Sequence, residues 1–247
     1  MAIPNSFESI EEFVSGSLIL IDKPIGWTSF DVLNKIKGFV RNNLILPPNE
    51  HGHEQRFKIG HAGTLDPLAT GLLVICTGRM TKSIDQLQAG QKEYTGSIRF
   101  GQTTPSFDLE TIPVGDYPTA HLTIESIREA ALRFTGDQMQ TPPSYSAKQI
   151  DGQRAYKAAR RGERIDIPAV AIRVDAFDIL SYAEGEAHFR IACSKGTYIR
   201  TLANDIGLSA GSGSYLSSLR RTHSIPFEIN NAWSVEELLE KLQNMSI

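Results

Sequence analysis

Apolar residues along this chain gather into short runs with two different periods, separated by glycine, proline and charge. Residues 17–21 form a compact apolar run closed by Asp22-Lys23-Pro24, which predicts a buried strand. Thr28-Ser29-Phe30-Asp31 has the form of a capping box. Behind it Val32, Leu33, Ile36, Phe39 and Val40 keep helical spacing. Residues 41–57 are polar, hold Pro47, Pro48, His51 and His53, and read as a loop. Leu72 to Cys76 predicts a second strand, Thr81 to Leu87 a short helix, and Lys92 to Phe100 an alternating strand. Residues 101–121 read as a loop, and Ile124, Ile127, Ala131, Leu132 and Phe134 as an amphipathic helix stopped by Gly136.

Pro142 and Pro143 then force an extended segment. Arg154 to Arg161 reads as a helical basic stretch closed by Gly162. Ile172 to Leu180 and Ala187 to Cys193 predict a hairpin around Glu184-Gly185, with Ala187, Phe189, Ile191 and Cys193 on one face. Thr197 to Leu208 returns to helical spacing, and Ser234-Val235-Glu236-Glu237 is a second capping box opening a helix through Leu242. Strands and helices mix without a regular strand–helix–strand beat. That predicts an α+β chain with a large, mostly antiparallel sheet.

Composition narrows the function classes. The chain has 247 residues, 40% hydrophobic and 21% charged, with a net charge of −3. A polyanion site must then be local, because a cleft can focus potential without a positive total. Cys76 and Cys193 lie inside apolar runs and read as buried hydrophobes in a reducing compartment. No apolar segment approaches membrane-spanning length, and the first residues lack a basic and apolar leader, so a cytoplasmic protein is expected.

Candidate chemistry concentrates at Gly60-His61-Ala62-Gly63-Thr64-Leu65-Asp66-Pro67-Leu68-Ala69-Thr70-Gly71. A lone carboxylate in a rigid loop feeding a buried strand is placed for chemistry, or it is a turn residue bonding its own backbone. Gly60, Gly63 and Gly71 would let a bulky ligand approach the backbone. Arg200, at a strand end entering a helix, is either a carboxylate partner or a surface cation. Arg154, Lys157, Arg160, Arg161 and Arg164 are either a solvated helix face or a phosphate footprint. Arg220 and Arg221 form a smaller cluster with the same alternatives. The histidines lack metal-ligand spacing, and no Gly-x-Ser-x-Gly elbow occurs.

The 60–71 string closely resembles the catalytic motif of the TruB-type tRNA pseudouridine synthases. Asp22 to Ser29, Lys92-Glu93-Tyr94, Tyr145-Ser146-Ala147, Cys193 to Arg200 and Leu219-Arg220-Arg221 resemble further blocks of that family, in family order. The resemblance implies the pseudouridine synthase fold, a large mixed, mostly antiparallel sheet flanked by helices and loops. It implies isomerisation of uridine-55 in the tRNA T-loop, by base flipping and without a cofactor. Asp66 resembles the family's nucleophile, Tyr94 the tyrosine against the target uracil, and Arg200 the arginine paired with the catalytic carboxylate. His61 resembles the histidine that stacks where the base leaves the T-loop, and Tyr198 and Leu219 resemble pocket residues. Lys23, Arg220 and Arg221 join the expected substrate-binding set.

Three local departures stand out. The 41–57 segment is longer than the family loop. Residues 101–108 lack the usual acidic pattern, which puts a role for Asp108 in doubt. Lys148 follows Ala147 directly. The expected organisation is an extension over 1–16 and a catalytic domain over 17–247, with no PUA domain. The expected partner is the T-arm of tRNA, met by a monomer without guide RNA or membrane. A competing reading is an RNA-binding tRNA folding factor without essential catalysis, against which intact Asp66, Tyr94 and Arg200 argue. A guide-RNA-dependent synthase is a further alternative.

Overall fold

The computed structural model describes residues 3–44, 46, 57–146, 149–150, 153–155, 161, 163 and 166–245. Backbone contacts divide the chain into two units, Met1–Lys92 with Arg220–Ile247, and Glu93–Leu219.

The first unit is built on β1 (Leu18–Lys23), β2 (Ile59–His61) and β3 (Ala69–Thr77). β1 runs antiparallel to β3, with Leu18 opposite Cys76 and Lys23 opposite Gly71, and β2 pairs with the end of β3 through Ile59 and Thr77. Successive side chains of a strand point to opposite faces. Leu18, Leu20, Leu72, Val74 and Cys76 therefore pack on one side with Phe227, while Ile19, Ile21, Leu73 and Ile75 pack on the other. Both faces are covered, which is why these strands read as continuous apolar runs. The second face is closed by three helices, α1 (Ile10–Gly16), α2 (Ser29–Asn43) and, at the end of the chain, Val235–Asn244.

α2 starts where the sequence places it. Thr28 Oγ1 accepts the Asp31 N–H at 3.0 Å, and Asp31 Oδ2 accepts the Thr28 N–H at 2.8 Å. This reciprocal cap satisfies two donors that the first helical turn cannot. Val32, Leu33, Ile36 and Val40 are buried as the spacing requires. Helix α1 lies within residues 1–16, read from sequence as an extension; Ser9 caps it, and Phe13 and Val14 are buried. A 3₁₀ turn (Gly78–Ser83) leads into α3 (Ile84–Ala89).

The second unit holds most of β4 (Lys92–Phe100), then α4 (Ile124–Leu132), β5 (Gly136–Gln140), the small β6–β7 hairpin (Gln149–Ile150, Gln153–Arg154), β8 (Val170–Ala183), β9 (Glu186–Cys193) and α5 (Ile199–Ser209). β8 pairs antiparallel with β9 and, on its other edge, with β5. Ala187, Phe189, Ile191 and Cys193 are all fully buried, as their alternation predicts. Arg154 lies in β7 rather than in a helix. Of the basic residues in and just beyond that stretch, Lys157, Arg160 and Arg164 fall outside the described residues, as do His51, His53 and Lys148.

β10 (Ser214–Ser224) has no counterpart in the strands predicted from the sequence. It begins in the second unit and ends in the first, where β11 (Phe227–Glu228) folds back on it. The terminal helix Val235–Asn244, hereafter α6, carries the predicted box, with the Glu237 N–H donating to Ser234 Oγ at 3.0 Å. β1 with β3, β2 with β3, β5 with β8, β8 with β9, β6 with β7 and β10 with β11 all pair antiparallel, and Ile21 forms an isolated parallel bridge with Trp233. Strands and helices together make an α+β architecture. Among the described residues, no helix is long and apolar enough to cross a membrane.

Candidate active site

Asp66 sits on the turn between β2 and β3, and its backbone is fastened from several directions. The Ala62 N–H donates to Val74 O at 2.8 Å, and the Ala69 N–H to Asp66 O at 3.1 Å. Buried Ser29, at the start of α2, accepts the Leu65 N–H on its hydroxyl at 2.8 Å and donates that hydroxyl to Leu65 O at 3.2 Å. The Gly26 N–H reaches Pro67 O at 2.8 Å. Asp66 itself is half-buried. The loop is thus over-determined by neighbours from the helix and the strand, and a side chain on it is held in place before any ligand arrives.

Two buried cations lie beside this turn. Lys23, the last residue of β1, is completely buried, and its Nζ donates to Trp27 O at 2.6 Å and Pro24 O at 2.9 Å. Burial pulls its pKa down to about 8; the Asp66 carboxylate pushes the other way, and Arg221 adds to the lowering. Arg221, on β10, is 1% exposed. Its Nε donates to Leu72 O at 2.7 Å and its Nη2 to Gly63 O at 3.1 Å. The sequence put Arg221 with Arg220 as a substrate contact. The structure instead turns its guanidinium inward onto carbonyl oxygens. Arg220 is half-exposed and forks onto Asp22, at 3.0 and 2.6 Å. His61 closes the group: its pKa is lowered by burial and then by Arg221, and its buried Nδ1 has no hydrogen-bond partner among the described residues.

The glycines of the loop also take a different meaning from the expected one. A Cβ on Gly71 would lie 2.3 Å from Arg221 O, and one on Gly60 would lie 2.6 Å from Ile84 Cδ1. What approaches the backbone at these two positions is the protein itself.

In the second unit, Arg200 lies in the first turn of α5 and is 4% exposed. Its Nη1 donates to Tyr145 O at 2.9 Å and lies 4.0 Å from Asp108 Oδ2. The guanidinium also stands 5.8 Å from the Tyr198 ring centroid. Tyr198 is pinned by buried Gln140, which accepts the Tyr198 N–H at 2.8 Å and donates to Tyr198 O at 3.1 Å. Asp108 is buried, and the Glu110 N–H donates to its Oδ1 at 3.0 Å. Sequence reasoning doubted Asp108 and passed over Gln140. The signal for Asp108 was the turn form Asp-Leu-Glu, in which a short carboxylate bonds the amide two residues on. Tyr94 is buried on β4 and Leu219 half-buried on β10, and each lies within two residues of a point where the chain passes between units.

The structure thus gathers Lys23, His61, Asp66 and Arg221 in one unit, and Tyr198 and Arg200 with Asp108, Gln140 and Tyr145 in the other. Arg161 is exposed and paired with Glu163. Among the described residues, no group of three or more His, Cys, Asp or Glu side chains is placed to hold a metal ion.

A carboxylate on a fixed turn, flanked by buried positive charge, defines a site for acid–base or nucleophilic chemistry. Family comparisons specify which. Residues 51–199 match the TruB family pseudouridylate synthase N-terminal domain, and residues 200–246 match the tRNA pseudouridylate synthase B C-terminal domain. The chain belongs to the TruB family, and with it to the enzymes that isomerise uridine in RNA to pseudouridine. A Flavobacterium johnsoniae protein named tRNA pseudouridine synthase B is 47% identical over 94% of this chain and 99% of its own length. Proteins of the same name from Phocaeicola vulgatus and Chloroherpeton thalassium are 43% and 45% identical, over 95% and 92% of this chain and 97% and 90% of theirs. Among solved structures, a chain of a Cbf5–Nop10–Gar1 complex superposes with a TM-score of 0.66 at 26% identity, over 97% of this chain. This chain spans 60% of that chain's length.

Proposed function

We propose that this enzyme converts uridine-55 in the T-loop of tRNA to pseudouridine, with Asp66 as the nucleophile. The carrying observation is the Asp66 turn, a single carboxylate fixed by Ser29, Gly26 and β3 beside two buried cations. Relatives named tRNA pseudouridine synthase B, which align over nearly their whole length, support tRNA as the substrate, and position 55 rests on the resemblance of the 60–71 string.

The chemistry asks little else of the protein. The target base is stacked in folded RNA and must be extruded to be reached. The N1–C1′ bond then breaks, the uracil rotates, and C5 bonds to C1′ as the C5 proton is lost to a base and N1 regains a proton. An ionised carboxylate can add and leave again, so no cofactor is needed. Nearby positive charge favours that ionised form. Tyr94 takes the role of the ring against the uracil, and Arg200 that of the guanidinium serving the carboxylate. By the same resemblance His61, Tyr198 and Leu219 each take a nucleotide-binding role, and Arg220 that of an RNA contact. The protein acts in the cytoplasm, as a monomer and without a guide RNA.

The test uses an unmodified tRNA transcript, the pure protein and chemical mapping of pseudouridine. Modification at position 55 without added RNA is expected. Asp66→Asn should bind the transcript normally and make no pseudouridine. Product formation by that variant would overturn the assignment of the nucleophile, and a requirement for a second RNA would overturn guide-free action.

A further inference from the structure

Arg221 is a buried cation in a strand, which needs a physical reason. Taking a guanidinium out of water costs several kcal/mol unless its donors are used well. Its donors go to Leu72 O at 2.7 Å and Gly63 O at 3.1 Å. Those carbonyls stand at the two ends of the arc that contains Asp66. Arginine suits this task because its planar fork holds several donors in fixed directions, whereas a lysine offers one compact amine.

The arc lies close against Arg221, through the side chain at its start and through the backbone at its end. A Cβ on Gly63 would stand 3.4 Å from Arg221 Nη1. At Gly71, φ is +98°, and a Cβ would strike Arg221 O at 2.3 Å and Arg221 N at 2.8 Å. The strand carrying Arg221 therefore runs directly against the arc's C-terminal end, and its guanidinium tucks beneath the arc's start. The same charge reaches the residues around Asp66, since it acts on both Lys23 and His61.

We propose that Arg221 is a positioning residue of the synthase, a staple that fixes the 63–72 arc presenting Asp66, and that it does not touch RNA. Its catalytic consequence rests on the reading of Asp66 given above, but the staple itself does not. A nucleophile displaced by about 1 Å can lose on the order of 100-fold in rate. A residue that only neutralises phosphate would instead change affinity and its salt dependence.

The experiment compares wild type with Arg221→Lys and Arg221→Met by two independent readouts. The first is amide hydrogen exchange of the free protein. Ala62, Leu65 and Ala69 should exchange on the order of tenfold faster in Arg221→Lys, and faster still in Arg221→Met, while β8 and β9 amides stay at wild-type rates. The second is steady-state kinetics on tRNA. In Arg221→Lys, kcat should fall roughly 10- to 100-fold, with KM and the slope of log Kd against log salt unchanged. Unchanged loop exchange would overturn the staple, whether or not the protein modifies tRNA. Unchanged kcat with weaker binding and a salt slope reduced by about 0.9 would make Arg221 a phosphate contact. If wild type makes no pseudouridine, the function proposed above falls, and the exchange data still decide on the staple. If Arg221→Met does not fold, Arg221→Lys carries both readouts.

Discussion

Lys23 gives the sharpest quantitative test of the electrostatics around Asp66. Its amine is completely buried, and burial brings its pKa from 10.5 to about 8. Below about pH 8 the group is protonated in both the folded and unfolded chain, so the folded state carries the full cost of the buried charge. Between about 8 and 10.5 only the unfolded chain keeps the proton. Stability therefore rises with pH across that window, because the unfolded state binds more protons there. At about 1.4 kcal/mol per pH unit, the gain is roughly 3 kcal/mol. Lys23→Met removes the charge but also strips a donor from Pro24 O and Trp27 O, each loss costing about 1–3 kcal/mol. The opposing terms nearly cancel at pH 7. Wild type should therefore match the variant at pH 7 and exceed it by roughly 3 kcal/mol at pH 10.5. Urea unfolding of both proteins across this range measures the difference, in which every other titration cancels. Adding Asp66→Asn removes the stronger of the two carboxylates, Asp66 and Asp31, that raise the Lys23 pKa, so the rise should start at lower pH. Parallel stability curves for wild type and Lys23→Met would refute the argument, and an unmoved onset in Asp66→Asn would refute the pairing with Asp66.

Other substitutions read other parts of the structure. Gly71→Ala should destabilise by roughly 2–4 kcal/mol, seen as a lower Tm, because the new Cβ meets the Arg221 backbone at a positive φ. Thr77→Val should cost about 1–3 kcal/mol in urea unfolding, since the Thr77 hydroxyl accepts the Ser17 N–H at 2.9 Å and donates to Phe13 O at the junction of α1 and β1. Burial raises the Asp205 pKa, so its ionised form is less favourable in the folded chain than in the unfolded one. Asp205→Asn should therefore stabilise at pH 7, and the gain should vanish as pH falls below the ordinary carboxylate range; no gain at pH 7 would contradict the assignment.

The parts of this chain that were legible in the sequence are those in which one local signal fixes one local structure. The Thr28 and Ser234 boxes name their own helix starts, because both partners of each cap lie within four residues. The β1 and β3 runs are unbroken because each strand is buried on both faces. The same logic explains the failures. α1 carries a cap signal at Ser9, but a helix of 7 residues, about two turns, gives periodicity too little length to register. β10 escaped because its apolar alternation lapses beyond Leu216, and the inward positions further along include Arg221 where a hydrophobe is expected. Lys23 likewise was read as the end of β1, although the strand continues through it to face Gly71. The candidate site shows the same division. The 60–71 string announces Asp66, yet the groups that hold it come from Ser29, Lys23 and Arg221, and the bond from Arg221 to Gly63 spans 158 residues. A charged residue breaking a strand pattern has two physical readings, an edge exposed to water or an interior position with a task that justifies desolvation. Lys23 and Arg221 are both of the second kind and both lie beside Asp66, so at these two positions the break in hydrophobic patterning marks where the fold gives up stability to hold the Asp66 turn.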